Sequence, residues 1–165
     1  MALLMLLRHA KSAWPDAVAD LERPLAPRGE RDAQTVGRFL AARELRPELT
    51  LSSPALRARR TAEAVLHAAG SDPAAVQIHD QLYDGDVAAV LRQVPADVNR
   101  VLVVGHEPEL LDLAQRLCGA EVALPTAALA LIELQAPWSQ LPTCRGVLKV
   151  LVTPKLLAAA KWTTV

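Results

Sequence analysis

The chain has 165 residues, 52% of them hydrophobic and 22% charged, which is enough for one domain with a sizeable core and ordinary for a globular protein. Lys and Arg together number 18, as do Asp and Glu, so the formal net charge is zero. That balance argues against a nucleic-acid partner, which calls for a net basic face, yet it leaves room for a local anion site built from two or three aimed cations.

In chain order, Ala2 to Leu7 is a continuous apolar run, interrupted early by Arg8-His9 and lacking a basic flank. It reads as a buried strand rather than a signal peptide. Pro27-Arg28-Gly29 forms a turn, and Glu30 to Ala42 follows with Ala33, Val36, Phe39 and Leu40 at helical spacing. Leu49 to Leu51 is a short apolar run. Pro54 to Ala69 reads as a helix, with Ser53 as N-cap, Pro54 at the first helical position and Gly70 as the stop. Val76 to Ile78 and Val101 to Val104 are further strand candidates, and Pro108 to Leu117 is a third helix ending at Gly119. Ala128 to Leu134 and Val147 to Val152 are the last strands, joined through a turn region at Trp138 to Gly146. A short helix follows Pro154.

Uninterrupted apolar strands alternating with helices predict an α/β fold: a mainly parallel central sheet with helices on both faces, in a single domain over residues 1–165. The twelve prolines sit mostly at element boundaries and punctuate that domain. No stretch approaches the roughly 20 apolar residues of a membrane span, so cytoplasm is the expected location and a membrane is not an expected partner. Cys118 and Cys144 form no C-x-x-C pair and read as buried thiols in a reducing compartment.

Ligands of open α/β sheets bind beyond the carboxyl ends of the strands. Two strands here run into histidine, at Leu6-Leu7-Arg8-His9 and Val103-Val104-Gly105-His106. A third passes through Leu51-Ser52-Ser53 into a helix whose first turn carries Arg57. Two imidazoles and two guanidiniums facing one crevice make an anion pocket. Arg suits it because its planar fork binds two phosphoryl oxygens at once. Helix starts at Pro54 and Pro108 add positive dipole ends.

These residues also carry a resemblance. Leu-Leu-Arg-His-Ala-Lys-Ser at 6–12, Leu-Ser-Ser-Pro-Ala-Leu-Arg-Ala-Arg-Arg-Thr at 51–61 and Val-Gly-His-Glu-Pro at 104–108 resemble the signature blocks of the histidine phosphatase superfamily. Asp20 to Leu25, Arg28-Gly29, Leu82-Tyr83 and Leu124-Pro125-Thr126 are similar to its SixA-like phosphohistidine phosphatase branch. The resemblance implies a three-layer αβα sandwich of the phosphoglycerate mutase type. It implies that His9 is the nucleophile and that Arg8, Arg57 and His106 bind the phosphoryl group, with no metal and no cofactor. The expected substrate is a phosphorylated protein bearing phosphohistidine, with inorganic phosphate as product.

The leaving group decides what else is needed. An alkoxide wants a general acid, and Asp80, Asp84 and Asp86 lie where wider members of the superfamily place one. Asp80 matches best by position. Imidazole is a less demanding leaving group. A small-molecule phosphomonoesterase using Asp80, and a phosphate-binding module without turnover, are the alternative expectations. The loops between the motifs are too short for a lid domain, which suits a phosphoryl group displayed on a protein. Glu107 stands beside His106, where it either raises the imidazole pKa or repels phosphate. Thr61, one turn from Arg57, is expected to buttress it, and Lys11 and Ser12 are candidates to touch phosphate or substrate. His67, His79, Arg59 and Arg60 are expected to be structural or solvent-facing.

Overall fold

A computed structural model describes residues 1–160. Its centre is a six-stranded sheet formed by β1 (Leu3–Arg8), β2 (Leu49–Ser52), β3 (Val76–Ile78), β4 (Arg100–Gly105), β5 (Leu129–Leu134) and β6 (Gly146–Val152), in the order β3-β2-β4-β1-β5-β6. β3, β2, β4 and β1 pair in parallel, whereas β5 runs antiparallel to both β1 and β6. The sheet is therefore mainly parallel, as the uninterrupted apolar runs predict.

Both faces are covered by helices: α1 (Pro27–Ala42), α2 (Leu56–Ala68), α3 (Gln81–Asp84), α4 (Val87–Leu91), α5 (Glu109–Cys118) and α6 (Pro154–Ala159). Side chains alternate across a strand, so Met5 and Leu7 join a core with Val36, Leu40, Ala62 and Val65 of α1 and α2, while Leu4 and Leu6 join one with Leu91 and Leu110 of α4 and α5. This two-sided burial explains why β1 and β4 contain almost nothing polar.

Three local differences from the sequence reading have physical causes. Pro27-Arg28-Gly29 is the first turn of α1 rather than a turn ahead of it, since proline at the helix start has a preset φ and no N–H to satisfy. A Cβ on Gly29 would lie 2.1 Å from the Lys11 carbonyl oxygen, so glycine is what lets α1 press against the segment after β1. Second, α2 begins at Leu56 with Ala55 at its N-cap. The Ser53 hydroxyl accepts the Ala55 N–H at 3.2 Å, so it stabilises the turn before the helix instead of capping it. Third, α3 and α4 occupy a stretch where the sequence pattern predicts no helix.

Trp138 to Gly146 does connect β5 to β6. Trp138 is buried there and donates its indole N–H to the Val98 carbonyl at 2.8 Å. Cys118 and Cys144 are free thiols, half-buried rather than fully buried. No helix among the described residues is long and apolar enough to cross a membrane.

Candidate active site

β1 and β4 are adjacent and parallel, with Arg8 opposite Gly105. One residue further along each strand stand His9 and His106, and the His9 N–H donates to the Gly105 carbonyl at 2.9 Å. Their rings face one another with centroids 5.1 Å apart. α2 follows the neighbouring strand β2 and supplies Arg57, whose Nη2 lies 3.5 Å from His106 Nδ1. Arg8, His9, Arg57 and His106 all line one cleft of about 570 Å³ at the carboxyl ends of the strands, together with Lys11, Ser12, Arg23 and Tyr83.

Hydrogen bonding determines the tautomers. His9 Nδ1 sits 2.8 Å from the Ala10 carbonyl oxygen, which only accepts, so Nδ1 carries the proton and Nε2 keeps a lone pair. Burial, opposed by that hydrogen bond and assisted by the Arg57, Arg8 and Arg23 charges, lowers the His9 pKa to about 4. For His106, Arg57 offers only N–H groups, so Nδ1 accepts and Nε2–H donates to Ser53 Oγ at 2.8 Å. Burial first, then the His9 and Arg57 charges, lower the His106 pKa to about 3. Both imidazoles are neutral at pH 7, so His106 is not a standing imidazolium.

The guanidiniums are held firmly. Arg8 Nη1 donates to the Leu124 carbonyl at 3.0 Å and lies 3.2 Å from Glu107 Oε2. Glu107 is thus paired with a cation rather than turned against His106. Arg57 donates from Nη1 to the Asp20 carbonyl at 2.7 Å and from Nη2 to Asp20 Oδ2 at 3.0 Å. The same oxygen accepts the Tyr83 hydroxyl at 2.7 Å, and Asp20 Oδ1 accepts Arg23 Nη1 at 3.0 Å. These donors, Tyr83 foremost, hold the Asp20 carboxyl far below the usual carboxylate range, so it is ionised. Arg8 Nε and Arg57 Nε are buried with no acceptor among the described residues.

Thr61 buttresses the backbone rather than the guanidinium. Its hydroxyl donates to the Arg57 carbonyl at 2.6 Å and accepts the Ala10 N–H at 3.0 Å, tying α2 to the residue after His9. Ser12 receives Arg23 Nη2, while Lys11 is exposed on the cleft wall. His67 is exposed, His79 is half-buried and Arg60 pairs with Glu63 at 2.9 Å.

The structure does not bring Asp80 to the cleft. It is exposed just ahead of α3, and the carboxylate of that region on the cleft wall is Asp84, one helical turn later. Asp20, Arg23 and Tyr83 carry no assigned role in the sequence reading, although they lie within quoted motifs. The Asp20 contact to Tyr83 spans 63 residues and leaves no local signal. Trp14, also on the cleft wall, belongs to no motif. No three His, Cys, Asp or Glu side chains among the described residues gather into a metal-holding group.

Comparison with known proteins places this geometry in context. The family model described as histidine phosphatase superfamily (branch 1) matches residues 4–100. An uncharacterized protein of Mycobacterium tuberculosis is 35% identical over 156 residues, covering 86% of this chain and 96% of that one. An uncharacterized protein of Mycobacterium leprae is 32% identical, covering 82% and 91%. Among solved structures, the protein histidine phosphatase SixA complexed with tungstate superposes with a TM-score of 0.80 at 28% identity, over 94% of this chain and 99% of that one.

Proposed function

Since the chain belongs to the histidine phosphatase superfamily, a family that supports phosphatase activity, we propose that it hydrolyses phosphohistidine on proteins through a phosphorylated His9. The observation that carries this reading is the state of His9: a neutral imidazole with Nδ1 tied to the Ala10 carbonyl and an Nε2 lone pair beside two arginines.

In the first step Nε2 of His9 bonds to phosphorus as the substrate P–N bond breaks. A phosphoimidazole protonated on its other nitrogen departs as neutral imidazole, so no protein acid is required. In the second step water attacks phospho-His9, inorganic phosphate leaves, and the His9 lone pair returns. Such a transfer is mainly a matter of alignment and charge stabilisation. Arg8 and Arg57 serve the equatorial oxygens from the cleft wall that both line. Each aligned cation is worth about 3 kcal/mol of transition-state stabilisation. A bound dianion also favours protonation of His106 Nδ1, which then donates to a phosphoryl oxygen instead of accepting from Arg57.

The SixA neighbour is complexed with tungstate, a tetrahedral oxyanion, and the two guanidiniums lining the cleft here are donors suited to an anion of that kind. The available carboxylates also favour phosphohistidine over an alkyl phosphate. Asp20 is ionised and engaged, Glu107 is paired with Arg8, and Asp80 lies outside the cleft, so a phosphomonoesterase would have to draw its acid from Asp84 or Glu109.

The test is acid-quench trapping with radiolabelled substrate. The wild-type chain should retain label that survives alkali better than acid, as phosphoramidates do, and His9→Ala should retain none. A His9→Ala variant with full turnover would end the proposal.

A further inference from the structure

Residues 14–22, Trp-Pro-Asp-Ala-Val-Ala-Asp-Leu-Glu, form a loop beside the cleft in which every residue is exposed. Exposure here is not looseness. The loop is closed at its base by a bridge between Ser12 and Leu25 and by the Ala13 N–H donating to Pro24 at 2.9 Å. It is anchored within by Asp20 on Arg57 and Tyr83. Trp14 is 75% exposed, yet its ring is fixed by the Arg23 guanidinium lying 3.2 Å from the ring centroid. Ala17 adopts a left-handed conformation, φ 59°, which a non-glycine residue holds only when its surroundings impose it.

The composition of this loop is unusual for a surface. Trp14, Val18 and Leu21 are all exposed, at 75%, 38% and 44%, within eight residues. The other exposed large apolar side chains of the described residues, Met1, Ile78, Val147 and Leu156, come from separate parts of the chain. The loop also carries Asp16 and Glu22 but no Lys or Arg. An ordered aromatic with apolar neighbours and an acidic fringe has the chemistry of a contact surface.

We infer that this loop is the docking platform for the polypeptide flanking the phosphorylated side chain, and that it selects flanks of apolar residues edged by Lys or Arg. The inference rests on the reading that the phosphoryl group arrives on a protein. Continuity supports the assignment, because Trp14 is both exposed and a wall of the cleft, so a peptide delivering its phosphoryl group to His9 extends over it. Charge supports the basic edge, because Asp16 and Glu22 offer it partners within the loop. A small phosphorylated metabolite would leave Val18 and Leu21, which lie outside the cleft wall, in water.

The test uses the full chain with peptides carrying phosphohistidine or phosphoserine, flanked by Leu and Lys, by Gly and Ser, or by Asp and Glu, and an aryl phosphate as the small substrate. The wild type should turn over Leu/Lys-flanked peptides with kcat/KM about tenfold above the Gly/Ser set. Val18→Ser/Leu21→Ser should bring that preference below about threefold while aryl phosphate turnover stays unchanged. Indifference of the wild type to the flanks, or an equal loss on peptide and aryl phosphate in the double variant, would overturn the platform. So would turnover of aryl phosphate with none of either peptide set. A flank preference seen only with phosphoserine would sustain the platform and discard phosphohistidine as the substrate.

Discussion

Acidification offers a sharp test of the electrostatics around His9. In the proposed mechanism only the neutral His9 imidazole attacks phosphorus, and its pKa is lowered to about 4 by burial and by the charges of Arg57, Arg8 and Arg23. At pH 5 about 90% of His9 is then still neutral, whereas an imidazole at its ordinary value of about 6.5 would be only about 3% neutral. The difference is roughly thirtyfold in competent enzyme. It is read from kcat/KM between pH 4 and 8, which reports free-enzyme ionisations, with a substrate whose own phosphate ionisation is known and divided out. The corrected rate should stay within about twofold from pH 7 to pH 5 and fall only near pH 4. An acid limb centred between pH 6 and 6.5 would refute the assignment. Stability moves differently over the same range. In the unfolded chain both imidazoles titrate near 6.5, and in the folded chain near 4 for His9 and 3 for His106, so between those values the unfolded state binds protons the folded state refuses. Stability therefore declines as pH falls below about 6.5, by at most about 2 kcal/mol per imidazole down to pH 5. Activity that persists while the urea midpoint drops is the expected signature.

Two substitutions probe the scaffold around the site. Asp20→Asn replaces two acceptor oxygens by one, so whichever way the amide lies, either Arg57 or Arg23 faces an NH2 group. The Asp20 side chain is 47% exposed, which limits each pair to about 1 kcal/mol, so steady-state kinetics with an aryl phosphate should show a kcat about fivefold lower. An unchanged kcat would mean that Arg57 is aligned without Asp20. Gly37→Ala would place a Cβ 2.4 Å from the Val65 carbonyl oxygen and 2.7 Å from Ala68 Cβ, where α1 meets α2. Overpacking against backbone costs about 1–3 kcal/mol, more than the helix propensity gained, and should lower Tm by about 2–8 °C in a thermal melt. A raised Tm would show that the two helices separate freely.

The parts of this molecule legible in its sequence are those whose physics is local. β1 and β4 are evident because strands buried on both faces exclude polar residues, and the placement of His9 and His106 follows once both strands are seen to end at the same edge of the sheet. α3 and α4, of four and five residues, are too short for a hydrophobic period to declare itself. The start of α2 differs from the one Ser53-Pro54 predicts because Ser-Pro is a good capping signal in general, while here the Ser53 hydroxyl is shared between a turn and His106. Matching Asp80 by motif position could not resolve one helical turn, which is the distance separating it from Asp84 on the cleft wall. The Asp20 network joins residues far apart in the chain, and the Trp14 ring is held by a stacking partner nine residues away.

Seating His9 and His106 directly beyond the ends of neighbouring parallel strands has a consequence for how such an enzyme diversifies. The backbones that carry the two rings are held apart by the strand spacing, a constant of β-structure at about 4.8 Å. No side-chain exchange widens that gauge without unzipping the sheet, so the reactive centre resists drift toward other chemistry. Residues 14–22 contribute no strand to the sheet and bury nothing in either core. With residues 14–22 as the proposed docking platform, exchanging that loop for one of different character, with Asp20 retained, should redirect the protein toward new clients and leave its reaction untouched.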